Sequence, residues 1–370
     1  MLIGVPAEIK PKEYRVGLVP ATVRELTARG HRVQVQTKAG IGAGISDREY
    51  LEAGASIVEA AEPIFERAEL IVKVKEPLAL ERRRLRRGQT IFTYLHLAAD
   101  RAQLDDLLQS GVTAIAYETV TDPIGRLPLL APMSKVAGRM APQLAANFLQ
   151  YFHGGRGILL GGIDGVAAAS VVIVGGGNVG TSAADVAIGM GAVVTIAVRS
   201  PATAERLTRR FGDRVRAITA DEKTMAELCR SADVVIGAVL VPGAAAPKLI
   251  SRATVAAMNR GAVLVDVSID QGGCAETSRA TTHDEPIYVV DGVVHYCVAN
   301  MPGAVPRTST FALNDATRPF VLALADKGIA RALREDPGLR SGLNVHEGKL
   351  TCRAVADEPG LPYMSPDDLF

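Results

Sequence analysis

The stretch that most restricts the fold is residues 171–189. Val171-Val172-Ile173-Val174 is an apolar, β-branched run that enters Gly175-Gly176-Gly177-Asn178-Val179-Gly180 directly, and 181–189 continues at helical spacing. A strand that passes through G-x-G-x-x-G into a helix requires a specific backbone. Gly175 permits the tight turn, Gly177 lets the main chain approach a pyrophosphate, and Gly180 allows helix to pack closely on strand. Asn178 opens a helix whose positive N-terminus receives the anion. A second strand over 193–198 completes the unit, which distinguishes this turn from the many that use glycine for other reasons. The pattern predicts dinucleotide binding.

Such a second strand usually closes on an Asp or Glu that grips the adenosine ribose. Here it ends Ala197-Val198-Arg199-Ser200. An apolar Val198 removes the anionic repulsion, and Arg199 with Ser200 suits a 2′-phosphate. The cofactor is therefore read as NAD or NADP, with NADP favoured.

Strands are expected at 2–5, 32–36, 70–74, 90–95 and 113–116, separated by helical stretches such as 21–29 and 100–110. Alternation of strand and helix predicts a parallel sheet. Val136, Met140, Leu144 and Phe148 recur at helical spacing, so 133–153 reads as one long helix stopping at Gly154-Gly155. Further strands at 171–174, 193–198, 215–218, 234–238, 262–266 and 288–290 predict a Rossmann-type sheet. Residues 310–335 read as a helix kinked by Pro319, with a weakly patterned tail that packs back on the first domain. The expected fold is α/β: two Rossmann-like doubly wound domains with an interdomain cleft, joined by long helices. Residues 1–130 plus 306–370 form the substrate domain and 131–305 the dinucleotide-binding domain; 370 residues exceed what one core usually supports.

Composition excludes several classes. With 41 basic and 40 acidic residues no global field draws the chain to nucleic acid or an anionic membrane. The run Glu81-Arg82-Arg83-Arg84-Leu85-Arg86-Arg87 lacks aromatic interleaving and reads as a solvated helical face. The first residues lack the charge and apolar pattern of a secretory signal, and the most apolar stretch, 157–177, is broken by Asp164 and repeated glycines. The cytoplasm is the expected location. Cys229, Cys274, Cys297 and Cys352 are far apart, without zinc-ligand spacing, and read as reduced structural thiols; no metal is expected.

Several stretches together carry a resemblance that spans nearly the whole chain. They are Gly4-Val5-Pro6, Glu13-Tyr14-Arg15-Val16-Gly17, Lys73-Val74-Lys75-Glu76-Pro77, Tyr94-Leu95-His96-Leu97-Ala98, Pro132-Met133-Ser134 and Ala238-Val239-Leu240-Val241-Pro242-Gly243. The most specific are Asp266-Val267-Ser268-Ile269-Asp270-Gln271-Gly272-Gly273 and His295-Tyr296-Cys297-Val298-Ala299-Asn300-Met301-Pro302-Gly303. The sequence resembles the alanine dehydrogenases, in the family they share with the NAD-binding subunits of transhydrogenases.

The resemblance implies reversible oxidative deamination of L-alanine to pyruvate and ammonium. It assigns substrate binding to Arg15, whose planar fork suits a carboxylate, and to Lys75. It assigns proton handling to His96, with its near-neutral reference pKa, and to Asp270. Cofactor contacts are implied for Ser134, Gly175, Gly177, Asn178, Gly180, Val198, Arg199, Val239, Leu240, Val267, Ile269, Asp270, Arg279, Val298, Asn300 and Met301. It also implies a homohexamer or smaller homo-oligomer. Two other readings stand beside it: a transhydrogenase-like NAD-binding subunit without a small substrate, and a non-catalytic dinucleotide sensor. Arg15, Lys75, His96 and Asp270 occurring together favour the dehydrogenase.

Overall fold

A computed structural model describes residues 1–241, 245–356 and 362–370, so Pro242 and Gly243 of the matched stretch lie outside it. The chain divides into two compact units, Met1–Met133 with Val305–Phe370, and Ser134–Ala304.

The first unit holds strands β1 (Leu2–Val5), β2 (Arg32–Gln36), β3 (Ser56–Val58), β4 (Leu70–Val72), β5 (Thr90–Thr93) and β6 (Thr113–Ala116). They pair in parallel in the order β6-β5-β4-β1-β2-β3, and Leu343–His346 adds an antiparallel edge beside β6, followed by Lys349–Leu350. The burial pattern explains the sequence. Strands β1, β4, β5 and β6 are buried at every residue, as a sheet covered by helices on both faces requires, whereas β2, nearer the edge, alternates. Gly4 belongs in β1 because a Cβ there would overlap Ile64 of the helix Glu62–Arg67.

The second unit holds β7 (Ser170–Val174), β8 (Val193–Val198), β9 (Val215–Thr219), β10 (Val234–Gly237), β11 (Val263–Asp266), β12 (Ile287–Val290) and β13 (Val293–Tyr296), in the order β12-β13-β11-β10-β7-β8-β9. All pairs are parallel except β12 with β13. The core on one face joins Val171, Ile173, Ala183, Ile196, Ile236 and Val265 to Ala141, Ala145 and Leu149. That on the other joins Val172, Val235, Leu264, Cys229 and Cys274. Burial pushes the Cys229 thiol up to about 12 and that of Cys297 up to about 11, which suits packed, unreactive cysteines.

Four expectations are corrected. The helix expected over 133–153 is Ala131–Phe148, followed by a separate 3-10 turn, Tyr151–His153. The chain folds back there: Gly155 presses on the Phe148 carbonyl so closely that a Cβ would overlap it. The single strand expected at 288–290 is the antiparallel edge of a hairpin whose inner strand, β13, joins the parallel sheet. The last long helix starts earlier, at Pro306, passes through Pro319 and breaks at Gly328, whose φ of +75° ends it before a second helix, Ile329–Glu335. The arginine run is not one helical face, although Arg83, Arg86 and Arg87 are exposed. Its helix is one turn, Ala79–Arg82; Arg82 is buried on Asp106 at 2.7 Å, Arg84 pairs with Glu62, and Arg86 donates to the Glu66 and Ala68 carbonyls. No helix among the described residues is long and apolar enough to cross a membrane.

Candidate active site

In the second unit β7 ends in the turn at Gly175, whose φ is +112° and whose missing Cβ leaves room for the Ala238 carbonyl, 2.5 Å from where that atom would lie. A Cβ on Gly180 would overlap the Gly175 carbonyl, so helix Asn178–Gly189 can lie this close to β7 only with glycine there. Gly177 meets nothing within 4 Å of a Cβ position and caps the helix without a side-chain acceptor. The turn is therefore tight at its two ends and open in the middle, with helix N–H groups unclaimed by a capping side chain. A pyrophosphate fits that arrangement.

Two loops follow β10, the neighbour of the turn's strand, and β11, the next strand beyond it. Val239 donates its N–H to Ser268 Oγ at 3.0 Å, Gln271 accepts from the Val241 N–H at 3.2 Å and donates to the Val241 carbonyl at 2.8 Å, and Leu240 is exposed. The 3-10 turn Val267–Gln271 hangs on Asp266, a fully buried carboxylate that accepts from the amides of Ser268, Cys274 and Ala275 and from Ser278 Oγ at 2.6 Å. This anchor sets Asp270 outward and exposed, where its Oδ1 accepts the Asn300 amide at 3.3 Å. Asn300 takes a left-handed φ of +63°. Val298, Met301 and, on the 3-10 turn, Ile269 are buried, and Val267 is half-buried; Val298 and Met301 pack into the unit's core. Ser134 is half-buried in the first turn of Ala131–Phe148. Val198 is buried under the turn and Arg199 is exposed. Arg279 is exposed and lies over the Tyr288 ring, 4.0 Å from its centroid, so its described partner is that ring.

In the first unit the substrate candidates follow the carboxyl ends of adjacent strands, where open α/β sheets hold ligands: Arg15 after β1, Lys75 after β4 and His96 after β5. Gly17 brings the Arg15 loop onto the end of β4, since a Cβ there would overlap the Val72 carbonyl. Arg15 is 2% exposed and grips Glu13 through Nε and Nη2 at 2.7 and 2.6 Å, while Nη1 meets Met133 Sδ at 3.1 Å. Burial opposes the Glu13 charge, but the hydrogen bonds and charge of Arg15, helped by Lys75, hold its carboxyl down at about 2. Lys75 is half-buried; its carbonyl accepts from Thr93 Oγ1 and its amide donates to Glu8. The buried Tyr94 lies within the field of Arg15 and stacks on the His96 ring at 5.7 Å between centroids. In the first unit Glu13 thus feels the charges of both Arg15 and Lys75, and Tyr94 stands between the field of Arg15 and the His96 ring.

Four supporting residues escape sequence reasoning. Glu13 pairs with Arg15 only because the loop doubles back, Glu118 receives the His96 amide from the next strand, and Asp266 reads as an ordinary strand-ending acid. The fourth is Lys73, wholly buried between Glu8 and Glu81 at 3.1 and 2.7 Å. Burial opposes its charge, yet the two glutamates outweigh that and raise its pKa; burial pushes Glu8 up against the pull of Lys73. The cluster is structural: it pins residues 73–75 behind the site.

Together these features define a two-domain α/β oxidoreductase whose second domain is of the Rossmann type. The chain belongs to the alanine dehydrogenase/PNT family: residues 4–137 match its N-terminal domain model and 141–353 its C-terminal one. It is 57% identical over the full length of both chains to an alanine dehydrogenase of Halomonas elongata. A solved L-alanine dehydrogenase superposes with a TM-score of 0.93 at 50% identity, covering 96% of this chain and 98% of that one. A transhydrogenase from Sinorhizobium meliloti follows at 0.83 and 25% identity, covering 95% and 100%.

Proposed function

We propose that the protein catalyses the reversible oxidative deamination of L-alanine to pyruvate and ammonium with a nicotinamide dinucleotide. The observation that carries this reading is the grouping of Arg15, Lys75 and His96 at the carboxyl ends of β1, β4 and β5, in a chain of this family. When bound on the open turn at Gly177, the dinucleotide supplies the hydride acceptor for the alanine Cα–H. Arg15, anchored by Glu13 through Nε and Nη2, offers the guanidinium that receives the substrate carboxylate. Lys75 donates to the same carboxylate or to the carbonyl oxygen and stabilises charge developing there. His96 takes a proton from the water that adds to the imine carbon and returns one to the departing amine. Asp270, its position within the second unit fixed by the Asp266 anchor and the Asn300 amide, is the second polar group proposed to assist proton transfer. Ser134, Val239, Leu240, Val267, Ile269, Arg279, Val298, Asn300 and Met301 line the cofactor's course as contacts or as its packed floor.

NADP is the favoured dinucleotide, because the position that would carry the ribose-gripping acid is the buried, apolar Val198. Homo-oligomerisation, to a hexamer or smaller assembly, is supported by the exposed apolar side chains of Tyr151, Phe152, Leu159, Ile163 and Val166 in one stretch of the second unit. The cytoplasm is the proposed location.

Absorbance at 340 nm on mixing the protein with pyruvate, ammonium and either reduced cofactor tests the reaction. Turnover with pyruvate is the expected result. Cofactor binding without turnover of any 2-oxo acid overturns it and leaves a hydride-relaying subunit or a sensor.

A further inference from the structure

The middle glycine of the turn has a cation attached to it that no motif marks. Arg206, on the helix Pro201–Phe211 that follows β8, donates from Nη2 to the Gly176 carbonyl at 2.7 Å. The same helix walls the turn. A Cβ built on Gly176 would lie 2.7 Å from Leu207 Cδ1, 3.0 Å from Val198 Cγ1 and 3.1 Å from Thr203 Cγ2. Residues 203, 206 and 207 stand at i, i+3 and i+4, so they share the helix face that meets the turn.

That wall contains no carboxylate. From 198 to 204 the chain reads Val198-Arg199-Ser200-Pro201-Ala202-Thr203-Ala204, and the first acid, Glu205, is exposed and about 200° round the helix from Thr203. A ribose with two free hydroxyls finds no anionic acceptor here, whereas a phosphate ester meets the Arg206 guanidinium. Two arginines compete for the role. Arg199 is exposed and has no hydrogen-bond or ion-pair partner among the described residues. Arg206 has one N–H fixed on main chain of the turn itself, and its other N–H groups have no partner among the described residues. Anchoring one arm of a planar fork orients the rest, so a ligand loses less freedom in using them.

We propose that Arg206 is the residue that recognises the 2′-phosphate of NADP, and that Arg199 is not. The proposal rests on the reading of the turn as a dinucleotide site. It makes Arg206 a specificity-determining residue: it distinguishes a 2′-phosphate from a 2′-hydroxyl and takes no part in the chemistry.

Isothermal titration of the full-length protein with NADPH, NADH, 2′,5′-ADP and ADP tests it without reference to turnover. Wild-type protein is expected to bind NADPH at least about tenfold more tightly than NADH, as charged hydrogen bonds provide. Arg206→Gln is expected to remove that preference by weakening NADPH and 2′,5′-ADP while leaving NADH and ADP unchanged. Arg206→Lys should keep part of it, and Arg199→Gln all of it. Three results overturn the proposal while the dinucleotide reading stands: NADH binding as tightly as NADPH in wild type, equal weakening of both cofactors by Arg206→Gln, or loss of the preference in Arg199→Gln alone. Failure of wild type to bind any of the four ligands sinks the dinucleotide reading itself.

Discussion

The Glu118 carboxylate, at the end of β6, receives the backbone N–H of His96 at 2.6 Å and that of Leu95 at 3.1 and 3.2 Å. These amides leave β5 just where the chain bends, and His96 takes a left-handed conformation with φ +51° and ψ +41°. For a residue with a side chain that conformation costs about 1–3 kcal/mol unless the surroundings hold it. Charge-assisted bonds from one carboxylate to two successive amides hold it, and Tyr94 stacks flat on the ring, 9° from parallel. The ring is thereby exposed at the carboxyl edge of the sheet.

Removing the carboxylate should misplace the ring. Glu118→Ala is expected to lower kcat for alanine oxidation by about tenfold to a hundredfold, the scale of a small displacement of a reacting group. Affinity for the dinucleotide should not change, since Glu118 and the glycine turn belong to different units. Glu118→Gln keeps an acceptor oxygen and should recover most of the loss. An unaltered kcat and pH–rate profile in the alanine variant would show that the bend holds itself.

Acid should weaken the first unit through Glu13. Its carboxyl is held at about 2 against an ordinary 4.5, so the folded state binds the proton less readily than the unfolded chain. The pairing therefore contributes in full above about pH 4.5 and is lost as pH falls toward 2. Glu13→Gln should cost about 3–5 kcal/mol at neutral pH by removing the carboxylate paired with the buried Arg15, and should flatten stability between pH 4.5 and 2. Thermal melts of both proteins across that range provide the check. An acid limb of the same steepness in the variant assigns the loss to other carboxylates.

What the sequence made legible was what depends on neighbours in the chain. The β-branched run into Gly175 predicted strand, turn and helix because all three are local, while Arg15, Lys75 and His96 were legible through the family resemblance and not through the strand order that brings them to one sheet edge. Contacts over long separations escaped. Glu118 is 22 residues from the amide that it binds, and Arg206 is 30 from the carbonyl that it binds. The helix expected to run to His153 stopped at Phe148 because Gly155 folds onto its end, a packing event without periodicity. Arg15 reads as an open fork for a substrate carboxylate, whereas Glu13 fills half of it.

The turn offers a paired test. Alanine at Gly180 would drive a Cβ into the Gly175 carbonyl, main chain that has no flexible end to yield, so Gly180→Ala should lower the melting temperature markedly. Alanine at Gly177 meets nothing within 4 Å and its φ of −82° suits any residue, so stability should change by no more than about 1 kcal/mol. Its methyl group would stand where the pyrophosphate approaches. Gly177→Ala is therefore expected to bind either dinucleotide at least about tenfold more weakly while melting like wild type. Unchanged binding on titration would mean that phosphate does not lie over Gly177.

The second unit should also lose stability in mild acid, through His295. That ring is fully buried on β13, with Nδ1 2.9 Å from the Val293 carbonyl and Nε2 2.8 Å from Thr277 Oγ1. A carbonyl oxygen only accepts, so Nδ1 carries the proton and Nε2 accepts from the threonine hydroxyl. Protonation would put a charge into the core and turn Nε2 into a donor facing a hydroxyl already donating to it. Burial accordingly holds the His295 pKa below 6.5, with the charge of Arg252 adding to it and those of Asp266 and Asp291 opposing. The folded state then binds fewer protons than the unfolded chain, so stability falls as pH drops below about 6.5 and continues to fall until the folded pKa is passed. His295→Gln keeps a donor and an acceptor and cannot titrate. It should be less stable than wild type at pH 7.5 yet lose less on going to pH 5.5, as read by melting temperature. A wild-type curve that is flat over that interval would show that the ring takes up its proton as readily in the fold as in the unfolded chain.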